Sequence, residues 1–497
     1  MKHLPLSEKA KETKCIQSTH IFHFLKFFTL KCIGKMHFDS LLELLEVNRH
    51  SSTLISLLDI KVICLSVSHD PVKTTVTFLL QINKYLLINF FFLFLFASGL
   101  FGGQAQWLDG LAKRLGYESV HHYAVIIDAG SSGSRVLAYR FRVPFTVFGP
   151  TTLDLVDEYF EQSKPGLSSY ADDPAKGADT IVQLIKRAEF LTPAARRRDA
   201  PLIVRATAGL RLLPSDKAAQ LVRDSAKSLC RVRRLGYDVA SNAVEIMEGS
   251  DEGIFIWYTV NLLHNLLSEG ETMAALDLGG GSTQITYQLS ERDSALVPPA
   301  DQYVVPAGKN ITLFTHSYLN LGLHAARYGI FRMEAADNST HTFKSQCVEP
   351  IVQLEKWTYA NKQYTISGAP RPEKMKREAA YERCHALVKR YVLATLDYEP
   401  FTLWCVMFIV SDVMKGGLVS VAQYRASAVR ACSAENVDQP FACIDLVYMV
   451  ALLQDAYKIK DREPISLFKK VNGHEVSWAL GLAYTTVMNR IAAAAAA

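Results

Sequence analysis

The chain contains no Gly-Lys-Ser or Gly-Lys-Thr triplet, so it has no Walker-type phosphate loop. No two cysteines stand at Cys-x-x-Cys spacing, which argues against a thiolate zinc site. A Lys/Arg block of the kind that marks nucleic-acid binding is also missing. The 54 basic residues are nearly balanced by 49 acidic ones, a formal net charge of +5, so no nucleic-acid partner is expected. Even this excess is local. Residues 1–84 hold 11 Lys/Arg against 7 Asp/Glu and account for +4 of it, leaving the rest of the chain near neutral. With 497 residues, 49% of them hydrophobic and 21% charged, the chain reads as globular, with room for more than one core.

Charge is absent altogether from Tyr85 to Leu108, a stretch centred on the run Leu-Leu-Ile-Asn-Phe-Phe-Phe-Leu-Phe-Leu-Phe. Residues 85–103 read as a signal peptide or a signal anchor, the alternative being a buried element of an N-terminal domain. Lys73 and Lys84 ahead of the run favour a cytoplasmic N-terminus, which puts the remainder in the lumen of the secretory pathway or outside the cell. Membrane contact is then expected only through 85–103, if that segment is not cleaved. Residues 1–84 show no defensible periodicity and read as a cytosolic tail or an upstream extension of the reading frame. Six cysteines follow the apolar run, a number compatible with disulfides. The sequons Asn310-Ile-Thr and Asn338-Ser-Thr lie on the same side of it.

Beyond residue 120, apolar strand-like runs alternate with helical ones, the pattern of an α/β protein. Ala124 to Ile127 is a strand, Val136 to Phe141 its return, and Leu202 to Val204 another strand. Helical spacing covers Ala178 to Phe190, Ser215 to Leu229 with Ser215 as N-cap, and Ser250 to Leu267. Met273 to Leu278 and Gln284 to Gln288 repeat the strand and its return. The same device therefore occurs twice: Asp128-Ala-Gly-Ser-Ser-Gly-Ser and Asp277-Leu-Gly-Gly-Gly-Ser-Thr each follow an apolar strand. Two related lobes, each offering one loop to a common cleft, explain the repeat.

Glycines let a backbone approach a ligand closely, and hydroxyls add donors, so such loops suit phosphate oxygens. An aspartate at the base of each loop would repel phosphate. Asp128 and Asp277 make sense instead as holders of a hard divalent cation that also touches the phosphates. Glu252 is the candidate general base, although a carboxylate in the first turn of a helix also meets the positive end of the helix dipole without any catalytic duty.

Five segments, Ile126-Ile-Asp-Ala-Gly-Ser-Ser-Gly-Ser-Arg, Ala206-Thr-Ala-Gly-Leu-Arg-Leu-Leu, Gly249-Ser-Asp-Glu-Gly-Ile-Phe-Ile-Trp, Asp277-Leu-Gly-Gly-Gly-Ser-Thr-Gln and Ser477-Trp-Ala-Leu-Gly, resemble in order the five conserved regions of the apyrases, the nucleoside triphosphate diphosphohydrolases. The resemblance spans roughly residues 120–490. It is greatest to the soluble secretory-pathway branch that prefers nucleoside diphosphates. It implies two ribonuclease-H-like lobes of the actin-like superfamily with the active site between them: a first lobe over 120–275, a second over 276–474, and a C-terminal helix over 475–491 returning to the cleft.

The resemblance also implies roles. Glu252 is the general base, five residues before Trp257, and Ser282 and Gln284 position the attacking water. Asp128 and Asp277 hold Ca²⁺ or Mg²⁺ through waters, with Thr207 and Trp478 completing the shell. Ser131, Ser132, Gly133, Ser134 and Arg135, with Gly279, Gly280, Gly281 and Thr283, cradle the phosphates. Trp478 also suits a core position and Thr207 a helix cap. Cys347 with Cys384, and Cys432 with Cys443, fall where secreted members carry disulfides, leaving Cys230 and Cys405 unpaired. From Pro400 to Val421 the chain departs from the family's pattern near the nucleotide base, so base preference is open. The expectation is a monomeric, cation-dependent nucleoside diphosphatase, with a triphosphate-preferring apyrase or a non-hydrolysing nucleotide-binding protein as alternatives.

Overall fold

A computed structural model describes residues 120–496 apart from 145–151, 238, 268–271, 308, 338, 373–375, 398–406 and 411–416, with backbone alone for 377 and 407–410. The leader, the apolar run 85–103, Asn338, Cys405 and most of 400–421 thus lie outside the described residues. Residues 101–497 form one compact unit, and everything below lies within it. Among the described residues no helix is long and apolar enough to cross a membrane.

The first sheet is built around β1 (His121–Ala129), which pairs antiparallel with β2 (Ser134–Arg142) and, through it, with β3 (Asp154–Ser163). On its other side β1 runs parallel to β4 (Leu202–Ala206), which runs parallel to β5 (Val244–Ile246). Apolar residues fill both faces of β1 because both faces are covered. Val125, Ile127 and Ala129 meet an outer core under α1 (Pro174–Arg187) and α2 (Ser215–Arg233), whereas Ala124 and Ile126 meet a middle core. Helix α1 opens on Pro174 behind Asp173, whose carboxylate accepts from the Lys176 N–H, as a proline at the first helical position permits. For α2 the cap differs from expectation. Pro214 is the N-cap and Ser215 is already the first helical residue, with no side-chain cap bond.

The second sheet repeats the first. Its central β6 (Ala274–Leu278) pairs antiparallel with β7 (Ser282–Gln288), which pairs with β9 (Lys309–Leu319) and then β8 (Gln302–Ala307). On the other side of β6 lie β13 (Met407–Val410) and β15 (Ile465–Leu467), both parallel, and then antiparallel β14 (Gly417–Val419). The order β9-β7-β6-β13-β15 matches β3-β2-β1-β4-β5 in neighbours and in strand sense. Asp128 and Asp277 are each the penultimate residue of their central strand. The fold is therefore α/β with two related lobes.

Between β9 and β13 the chain adds α4 (Leu323–Met333), strands β10 (Thr342–Ser345), β11 (Glu355–Tyr359) and β12 (Lys362–Gly368) in a small sheet, and α5 (Arg377–Thr395). After β14 come α6 (Val421–Ala431) and α7 (Ala442–Val450). The disulfides Cys347–Cys384 and Cys432–Cys443 staple this region, as expected, and Cys230 is a free, exposed thiol.

The lobes exchange helices. The helix α3 (Gly249–Leu263), which follows the first sheet in sequence, packs on β6, β7 and β9 of the second. The last helix, α8 (Trp478–Ala496), packs on α3 and returns to β1 and β2. Thr259 joins them, its hydroxyl donating to the Ser477 carbonyl (2.7 Å) and accepting from the Gly481 N–H (2.8 Å). Sandwiched this way, α3 buries Ile256, Trp257, Tyr258 and Val260, which explains why its sequence is apolar almost all round.

Candidate active site

The two loops meet. A Cβ placed on Gly280 would lie 2.5 Å from Ser131 Oγ, so the second loop comes to side-chain contact distance of the first. The glycine loop is held from behind by the start of α4. Leu323 and His324 donate their N–H groups to the carbonyls of Gly279 (2.9 Å) and Gly280 (3.0 Å), and Asn320 donates to that of Gly281 (2.9 Å). Thr283 donates its hydroxyl to the Asp277 carbonyl (2.6 Å), bracing the strand return.

Asp128 is 4% exposed, and Arg135, its cross-strand neighbour, donates Nη1 to Oδ2 at 2.7 Å. The other oxygen, Oδ1, is buried without a hydrogen-bond partner. Burial raises the Asp128 carboxyl pKa despite Arg135, and burial together with the Asp128 charge pushes Asp277 well above the carboxylate range. Two buried carboxyls with raised pKa values, one with an orphaned oxygen, are what a cation would relieve. Among the described residues no group of three or more His, Cys, Asp or Glu side chains is clustered as for a metal ion.

Glu252 lies in the first turn of α3 and is 6% exposed. Its Oε2 accepts from Arg211 Nη2 (2.9 Å) and Gln284 Nε2 (3.1 Å). The same Arg211 nitrogen reaches Ser282 Oγ (3.1 Å), and the Gln284 amide also donates to Ser282 Oγ (2.8 Å) and Ser317 Oγ (2.9 Å). Gln284 Oε1 is buried and has no partner. Burial first, then the charges of Asp277 and Asp128, hold the Glu252 carboxyl far above its usual pKa, with Arg211 opposing them. A buried carboxyl with so raised a pKa is a candidate functional group.

Two glycines bring Glu252 to this position. On Gly253 a Cβ would collide with Thr315 Oγ1 and lie 2.6 Å from Thr286 Oγ1, and on Gly249 it would collide with Ser317 Oγ. The helix can therefore approach the sheet only with bare backbone at these two points. Gly253→Val is expected to displace α3, lower the melting temperature by several degrees and reduce turnover, which thermal melts and initial rates check.

The structure thus brings Asp128, Asp277, Glu252, Ser282 and Gln284 together with both loops. Ser134 is fully buried at the start of β2, its hydroxyl unpartnered, and Ser131 and Ser132 are partly accessible at the loop tip. Thr207 stands at the N-cap of the turn Ala208–Arg211 without making a side-chain cap bond. Trp478, 4% exposed, is packed in the middle core. Arg211 and Ser317 had no counterpart among the sequence candidates. For Arg211 the available signal was its place four residues after Thr207 in the second motif.

The model of the GDA1/CD39 (nucleoside phosphatase) family matches residues 115–407 and 420–494. The chain belongs to this family. Its similarity extends to the nucleoside-diphosphatase uda-1 of Caenorhabditis elegans, 33% identical over 439 residues that cover 81% of this chain and 88% of that protein. It also extends to the human nucleoside diphosphate phosphatase ENTPD5, 34% identical over 407 residues, covering 77% and 92%. Among solved structures, a nucleoside triphosphate hydrolase from Neospora caninum aligns at a TM-score of 0.53 and 15% identity, covering 79% of this chain and 99% of that one, a likeness of fold. Family membership makes the chain a hydrolase enzyme. The family match breaks between 407 and 420, inside the divergent stretch 400–421, where the described backbone of β13 still takes its place between β6 and β15.

Proposed function

We propose that the protein hydrolyses the terminal phosphate of nucleoside diphosphates, UDP and GDP foremost, to the monophosphate and inorganic phosphate by direct attack of water. The observation that carries the reading is Glu252, a buried carboxylate set between the two Asp-based loops and held by Arg211 and Gln284. Glu252 takes the proton of the attacking water. Gln284, with an unpartnered buried Oε1, and Ser282 orient that water. The loop residues Ser131, Ser132, Gly133, Ser134 and Arg135, facing Gly279 to Gly281, hold the phosphates. No covalent intermediate is required, since positioning and charge stabilisation carry phosphoryl transfer.

Ca²⁺ or Mg²⁺ fits Asp128 and Asp277, for the orphaned Oδ1 and the raised carboxyls call for positive charge. Thr207, which makes no capping bond, and Trp478 are the further candidates to complete its water shell, although Trp478 is packed in the middle core. When bound, the cation neutralises charge on the phosphoryl oxygens. The two disulfides support passage through an oxidising secretory compartment.

Phosphate release from UDP, GDP, ADP and ATP in Mg²⁺ or Ca²⁺ tests the reading. Diphosphates are expected to turn over faster than ATP, and EDTA to stop the reaction reversibly. An unchanged rate in EDTA sinks the cation, faster ATP turnover makes the enzyme a triphosphate-preferring apyrase, and binding without phosphate release makes it a nucleotide-binding protein.

A further inference from the structure

A nucleoside diphosphate brings several negative charges into a cleft that already holds Asp128, Asp277 and Glu252. The body of the chain is near neutral, so compensation has to be local. Three arginines stand at the loops or on the helix behind them, and each is already committed to a carboxylate. Arg135 is paired with Asp128 (2.7 Å), Arg211 with Glu252 (2.9 Å) and Arg327 with Asp445 (2.6 Å).

Lys164 is different. It directly follows β3, is exposed, and has no ion-pair partner among the described residues. Two residues on, Gly166 is pressed onto the first loop: a Cβ there would strike the Gly130 carbonyl and lie 2.9 Å from Gly133 N and 3.0 Å from Ser131 C. From the other side the tip of the β11–β12 hairpin reaches the same segment, Asn361 donating its side-chain amide to the Ser169 carbonyl. The base of Lys164 is thus fixed against loop one.

Its charge is felt on loop two. His324, the second residue of α4, donates its N–H to the Gly280 carbonyl, and its Nδ1 lies 3.7 Å from the Cβ position of Gly280. Burial, with Arg327 and Lys164 next, holds this imidazole at about 4, so it is neutral at physiological pH. Lys164 therefore stands exposed beside loop one, two residues from Gly166, whereas Glu252 and Gln284 are buried.

We propose that Lys164 is a specificity-determining residue that binds the phosphate remaining with the nucleoside. The geometry favours the retained phosphate, because the transferred one must sit beside the water at Glu252, away from the exposed edge. This rests on the nucleotidase reading above.

The test is Lys164→Met against wild type and Lys164→Arg, with Lys176→Met on the same lobe as a control. Lys164→Met is expected to raise KM for a nucleoside diphosphate about tenfold, with kcat within about twofold, as for loss of one charge-assisted hydrogen bond. The inhibition constant of the nucleoside monophosphate should rise by the same factor, that of inorganic phosphate should stay, and Lys164→Arg should restore both. Unchanged KM and monophosphate inhibition overturn the proposal. So does weakened inhibition by inorganic phosphate alone, which would put Lys164 on the transferred group. Should wild type prove silent toward diphosphates, the parent reading falls, and calorimetric binding of the monophosphate to wild type and Lys164→Met still decides Lys164.

Discussion

Glu252→Gln should lower kcat about a thousandfold, close to 4 kcal/mol of transition-state stabilisation, with KM little changed. The substitution keeps the size and planarity of the side chain, and Gln can still accept from Arg211 and Gln284 at Oε1. Only the ability to take a proton is lost, so the change reports on chemistry. An amide at this point has no bearing on the two loops that hold the phosphates, which is why binding survives. Circular dichroism and melting curves separate the effect from unfolding. Turnover by Glu252→Gln within a few-fold of wild type would remove Glu252 as the base and return it to the bland role of a helix-dipole partner.

Much of this site was legible in the sequence because its signals are local. The runs at Ala124 to Ile127 and Ala274 to Leu276 are apolar at every position since each central strand is covered on both faces, and an aspartate followed by glycines ends each run. Other features depend on distant partners. Arg211 finds Glu252 41 residues away and Ser282 71 residues away, separations over which no spacing rule operates. The apolar periphery of α3 announced burial, but not that the helix packs on the sheet that follows it while α8 closes over it from the C-terminus. Pro214 took the cap expected of Ser215, a one-residue shift that local preference alone does not resolve.

Arg211→Met is expected to lower kcat by about tenfold to a hundredfold near neutrality, the range for losing a hydrogen-bonded partner of a buried charge. The loss should depend on pH in a definite direction. Glu252 works as a base only when deprotonated, so wild-type activity rises with pH through its pKa. Burial and the charges of Asp277 and Asp128 place that pKa above the usual carboxylate range, and the Arg211 guanidinium pulls it down by charge and by hydrogen bond. Without the guanidinium, protonated Glu252 persists to higher pH, and the acid limb of the profile moves alkaline by about one pH unit or more. Activity is then partly recovered on raising the pH. Raising the cation concentration should act in the opposite sense on wild type, because positive charge at Asp128 and Asp277 offsets the repulsion that keeps Glu252 protonated. A purely structural role for Arg211 would instead lower kcat by one factor across the whole pH range, and rate profiles of the two proteins at low and saturating cation distinguish the cases.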